Sequence, residues 1–192
     1  MILLKKLFLV SPVILAIYFT FVLVIFPQIY SNNDFGTAKP TLYTMIPEQA
    51  KLDEPFEITL VSNNEGAEAD LQTVTVGFPQ ISNMDDIKIV SYDFLQSPKI
   101  FLQGRQIGSS YNSNNTPIEA KYPILEAYNR PSKTNHSSSM TIQIIPHQAG
   151  TYLIYTKTVT MPHTSEQSHF PRQGILDQQN EFVQEHKVII IP

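Results

Sequence analysis

From residue 7 to residue 26 the chain reads LFLVSPVILAIYFTFVLVIF, without one charged side chain. A helix needs about 20 such residues to cross a hydrocarbon layer of about 30 Å. Pro12 lies near the start of the run, where a missing N–H costs a helix least. Beyond it the pattern changes to short, alternating stretches. Residues 41–46 form the first. Residues 55–62 put Phe56, Ile58 and Leu60 on one face, and residues 71–78 set Val74, Val76 and Phe78 against Thr73 and Thr75. Residues 87–92, 99–103, 140–145, 151–161 and 182–191 follow, rich in Ile, Val, Thr and Tyr. Turn formers such as Asn63-Asn64-Glu65-Gly66 separate them. Outside the apolar run no 3.6-residue period is sustained; residues 117–130 hold at most one helical turn, which Pro123 interrupts. About eight strands without helices predict an all-β fold, an antiparallel sandwich of two sheets behind one N-terminal transmembrane helix.

The flanks of the run give it a direction. Lys5 and Lys6 precede it, and only Asp34 and Lys39 stand near its far side. Excess positive charge stays in the cytoplasm. Residues 1–6 are therefore expected in the cytoplasm, 7–30 as the anchor in the lipid bilayer, 31–40 as a stalk, and 41–192 as an extracytoplasmic domain of a single-pass membrane protein. The competing reading is a cleaved signal peptide. Such a leader has a shorter hydrophobic region and ends at a small-x-small site, and the exit VIFPQIYSNND offers none.

Two stretches narrow the sandwich. The segment ITLVSNNEGAEADLQTVTVGF, from Ile58 to Phe78, carries a V-x-N-x-G-x-x-x-A-like turn between two alternating strands. The segment SMTIQIIPHQAGTYLIYTKTVT has a strand, a Pro-x-x-x-Gly-x-Tyr turn and a second strand. Both resemble the CARDB-type immunoglobulin-like domains of prokaryotic, above all archaeal, membrane-anchored envelope proteins. Together they cover roughly a quarter of the chain, and such motifs occur in immunoglobulin-like β-sandwiches generally. The resemblance implies an Ig-like β-sandwich with a binding or structural role in the cell envelope. Gly150-Thr151-Tyr152 also has the arrangement of a tyrosine corner, in which the phenol bonds back to the preceding turn. One departure is residues 162–181, where that family has a short final hairpin.

Composition removes several chemistries. The absence of cysteine excludes a disulfide scaffold, a thiolate zinc site, an iron–sulfur centre, a cysteine nucleophile and a blue-copper centre. A formal charge of -4 with 13 Lys+Arg argues against a nucleic-acid partner. There is no Gly-rich phosphate loop, His-Glu-x-x-His or Gly-x-Ser-x-Gly, so no enzymatic activity is expected. Asp85 and Asp86 read as a solvated turn.

Candidate function falls on two excursions, residues 104–139 and 162–181, each longer than the connections usual in compact domains. If every connection reverses direction, both open at the membrane-far tip and the 146–150 turn, with His147, lies at the other end. Tyr111, Tyr122, Tyr128 and Phe170, with Arg172, are the candidate contact residues there for a protein or glycan partner. The alternative is a copper or zinc site built from His136, His163, His169 and Met161, with Asp177 and Glu181 nearby; imidazole with thioether suits copper, imidazole with carboxylate suits zinc. The 163/169 spacing fits neither a strand pair nor a helix pair. Asn114 and Asn135 open glycosylation sequons.

Overall fold

The computed structural model describes residues 12, 14–25, 36–107, 118–161, 169–177 and 181–192. Contacts divide the chain into two units, Met1–Phe35 and Gly36–Pro192. In the first, residues 14–20 are α-helical and Phe21–Ile25 form a π-helical turn. Among the described residues no helix is long and apolar enough to cross a membrane. The rest of the expected 7–30 anchor lies outside the described residues, and so do residues 31–35 of the stalk.

The second unit is all β. Its strands are β1 (Pro40–Met45), β2 (Gln49–Lys51), β3 (Phe56–Asn64), β4 (Leu71–Gly77), β5 (Ile87–Tyr92), β6 (Gln96–Phe101), β7 (Gln106–Ile107), β8 (Ile118–Glu119), β9 (Ile124–Asn129), β10 (His136–Ile144), β11 (Gly150–Met161), β12 (Ile175–Leu176) and β13 (Phe182–Ile191). One sheet runs β1-β3-β10-β5, the other β12-β13-β11-β4-β9-β6, with β2 parallel to β13. In the immunoglobulin fold strands A, B, E and D form one sheet and G, F and C the other. Here β1-β3-β10-β5 holds the first set of positions and β13-β11-β4 the second. The β6/β9 pair is added beyond β4.

The alternation anticipated from sequence builds the core. Phe56, Ile58 and Leu60 of β3 and Met140, Ile142 and Ile144 of β10 face Val74 and Val76 of β4, Leu125 and Ala127 of β9, and Ile154 of β11. Each of these side chains other than Ala127 contributes about 1.5–3 kcal/mol when fully buried. Packing is not the whole of it. Near the Pro40 end the core is polar. Ser62 Oγ of β3 lies 3.2 Å from Thr158 Oγ1 of β11. Gln72 Nε2 donates to Ser62 Oγ at 2.8 Å, and Ser132 Oγ donates to Gln72 Oε1 at 2.8 Å. Strands B and F are where antibody domains place their inter-sheet disulfide; this chain ties those strands with hydrogen bonds. Tyr152 joins the apolar core. Among the described residues its phenol makes no hydrogen bond to the preceding turn, so the expected tyrosine corner is not formed.

Three expectations change. The 104–139 excursion is not a continuous loop, because it contains β9, a strand inside the sheet with Ile124, Leu125, Glu126, Ala127 and Asn129 buried. That extra strand also breaks the alternation of directions. Pro40, Asn64 and His136 share one row, and β4 begins and β9 and β11 end on that side. The 162–181 excursion therefore opens at the Pro40 end, and the 102–123 connection at the opposite end with 145–149. The two excursions leave from opposite ends of the sandwich. Residues 36–39 are also part of the domain rather than a free stalk: Ala38 is buried, and Lys39 N donates to Asn64 Oδ1 at 3.0 Å.

Candidate functional site

Although they start at opposite ends, parts of both excursions meet on the outer face of the larger sheet. The meeting point is built on β11. Its even residues from Tyr152 to Thr160 face inward, so Tyr155 and Lys157 face outward. Lys157 Nζ donates to Asp177 Oδ2 at 3.0 Å and to Glu181 Oε2 at 2.7 Å. The Lys157 side chain is only 19% exposed. Burial works to lower its ammonium, but Glu181 and Asp177 outweigh this and hold it above the ordinary lysine value. The loop is closed on itself, with Asp177 N donating to Glu181 O at 2.9 Å and Glu181 N to Asp177 Oδ1 at 3.0 Å.

Residues 169–177 form a strap around the start of β13. Thr160 and His169 exchange backbone hydrogen bonds of 2.8 Å, and β12 pairs with the other edge of β13. Gly174 makes the close passage possible. Its φ is +105°, and a Cβ there would run into the Val183 carbonyl. From the other excursion comes Tyr122. Its ring stacks on Tyr155 at 5.7 Å and 27° and lies directly over Gly77, where a Cβ would collide with it. Burial, then the neighbouring Tyr155, raises the Tyr122 phenol above its ordinary value. In register across the same face stand Lys99, Glu126, Thr75 and Lys157. Glu126 is 3% exposed.

The expected contact residues are distributed as follows. Tyr122 is in this cluster. Tyr128 sits on β9, opposite Thr73 and Gln96, and not in a loop. Phe170 packs in the strap against Phe182, with ring centroids 5.9 Å apart. Arg172 is exposed. Tyr111 lies outside the described residues, as does His163. His136, Met161 and His169 do share the Pro40 end, and His147 is opposite them. However, His136 Nε2 lies 3.2 Å from Ser138 Oγ, and among the described residues no three His, Asp or Glu side chains group to hold a metal ion. Asp177 and Glu181 are turned to Lys157 instead. Sequence reasoning passed over Lys157 and Glu126. Their one signal is a lone charge on the outward face of an otherwise apolar or threonine-rich strand.

His186 on β13 lies between the two sheets. Its Nε2 lies 3.0 Å from Thr156 Oγ1 and 3.4 Å from Thr44 Oγ1, bridging the two sheets. Burial pushes its pKa below the ordinary value, so it is a neutral member of the interior.

The strand order defines an immunoglobulin-like β-sandwich. No family model matches the chain, and no curated protein matches it. Among solved structures it is similar to the CARDB domain of a Pyrococcus furiosus protein in complex with di-metal ions, at 12% identity and a TM-score of 0.41 over 80% of this chain and 89% of that one. It is similar to a cohesin module of a Clostridium perfringens family 33 glycoside hydrolase, at 8% identity and a TM-score of 0.41 over 80% of this chain and 98% of that one. It is also similar to the collagen-binding domain of a Staphylococcus aureus adhesin, at 12% identity and a TM-score of 0.35 over 79% of this chain and 96% of that one.

Proposed function

We propose that this protein is a single-pass, membrane-anchored, extracytoplasmic Ig-like module that binds a protein or glycan of the cell envelope or a membrane complex, without catalysis of its own. The observation that carries the binding surface is the strap. Two distant excursions are fastened to one sheet face by Lys157 and the Tyr122–Tyr155 stack, and the strap presents Ile175 and Leu176, 55% and 59% exposed. A fastened strap that carries exposed apolar side chains is suited to a partner. The contact surface is thus assigned to the strap and the adjoining sheet face instead of the distal tip. The anchor is supported by the uncharged run 7–26, the preceding lysines and a helical stretch whose apolar side chains, from Ile14 at 60% to Leu23 at 66%, are exposed.

The test uses the full chain in its native membrane. Alkaline carbonate should leave it in the pellet, and deleting residues 7–26 should release it; extraction of the intact chain overturns the anchor. After mild solubilisation, partners that co-purify with the wild type should be lost with Ile175→Glu/Leu176→Glu. An unchanged set overturns the surface.

A further inference from the structure

Three connections meet at the end of the sandwich opposite Pro40: the turn after β2, the 3-10 turn Met84–Asp86 before β5, and residues 145–149 between β10 and β11. Two backbone bonds join them. Asp53 N donates to Pro146 O at 2.9 Å, and Ile145 N donates to Asp86 O at 2.9 Å. His147 lies across all three. Its Nδ1 is 2.6 Å from Asp53 Oδ1, and its Nε2 is 3.2 Å from Asp86 Oδ1. An ionised carboxylate only accepts hydrogen bonds, and a neutral imidazole has one N–H. Both contacts are hydrogen bonds only when both ring nitrogens carry protons. Asp53 has a φ of +57°, in the left-handed region that Asp and Asn tolerate better than most residues.

We propose that His147 is a protonation-dependent latch: as imidazolium it fastens the Asp53 turn and the Asp86 turn to the β10–β11 connection, and as neutral imidazole it releases one of them. The single remaining N–H serves the shorter contact, to Asp53. The Nε2 lone pair then faces the Asp86 carboxylate, and the two repel. The hydrogen bond to Asp53 is the largest influence raising the His147 pKa above 6.5; desolvation opposes it, and the Asp86 charge adds to it. Among the described residues, the same turns also carry Lys51 and Glu54, paired at 3.4 Å within the Asp53 turn, and Asp85 beside Asp86. The latch is closed below pH 6.5 and opens as pH rises through the folded-state value. It is independent of the binding surface, which lies on the sheet face.

Histidine-selective NMR of the full chain in detergent micelles tests it. The His147 midpoint should lie above 6.5, Asp53→Asn should lower it more than Asp86→Asn, and His186 should titrate below 6.5. Amide exchange at Ile145 and Asp53 should slow several-fold at pH 5.5 relative to His147→Gln; above the His147 midpoint the difference should vanish at Ile145, on the released Asp86 turn, and persist at Asp53. Because His147 is exposed, the variant should keep the fold, checked by the core amides. A His147 midpoint at or below 6.5, or equal exchange in wild type and variant at pH 5.5, overturns the latch.

Discussion

Lys157 and His147 are each a cation held between two carboxylates, and each fastens connections to the sandwich. They differ in two respects. Lys157 is 19% exposed and its partners 22% and 17%, whereas His147 is 54% exposed and Asp53 67%, with only Asp86 covered, at 17%. Water therefore screens the second set far more than the first. The ammonium also stays charged across the physiological range, while the imidazole does not. Burial makes the Lys157 cluster a permanent fastening, and exposure together with a titrating ring makes the His147 cluster a conditional one. The number of bonds does not distinguish them.

The largest expected effect comes from breaking the buried member. Lys157→Met leaves Asp177 and Glu181 covered and facing each other, and should cost about 3 kcal/mol, read as a fall in urea midpoint with an unchanged slope. Gly77→Ala attacks the same face from the other excursion by forcing the Tyr122 ring away. It should cost about 1–3 kcal/mol, and the Tyr122–Tyr155 contact should be lost in the nuclear Overhauser spectrum.

Stability measured from pH 5 to 9 sharpens the contrast. The Lys157 contribution should stay constant. The His147 contribution, from a raised pKa, is present below 6.5 and disappears as pH rises through the folded-state value. His186, with its lowered pKa, contributes the opposite slope: its share is present above 6.5 and is lost as pH falls toward its folded-state value. His147→Gln should flatten only the alkaline part of the profile, by a small shift in denaturation midpoint. The smallest effect belongs to the exposed Lys51–Glu54 pair, 61% and 62% exposed, where Lys51→Ala should change stability by less than about 0.5 kcal/mol.

Much of the sandwich was legible from alternation. The eight stretches predicted as strands correspond to β1, β3, β4, β5, β6, β10, β11 and β13, within a few residues at their ends. β9 was not, because ILEAYN follows Pro123, carries Glu126 and Ala127, and does not alternate. A strand buried on both faces has no period to read. Missing it reversed the inferred end of one excursion, since each strand counts once in a chain of reversals. The site was less legible. Tyr122 was singled out as a loop aromatic, yet its role depends on Gly77 and Tyr155, which are distant in the chain.

By itself the sequence determined the all-β class, the inward faces of the main strands and the uncharged run at the N-terminus. These follow from local period and charge, which neighbouring residues decide. Only the tertiary structure decided that Ser62 meets Thr158, that Lys157 closes on Asp177 and Glu181, and that His147 lies between two aspartates. Each of these pairs residues from different strands or turns, and which residues meet depends on strand order and register.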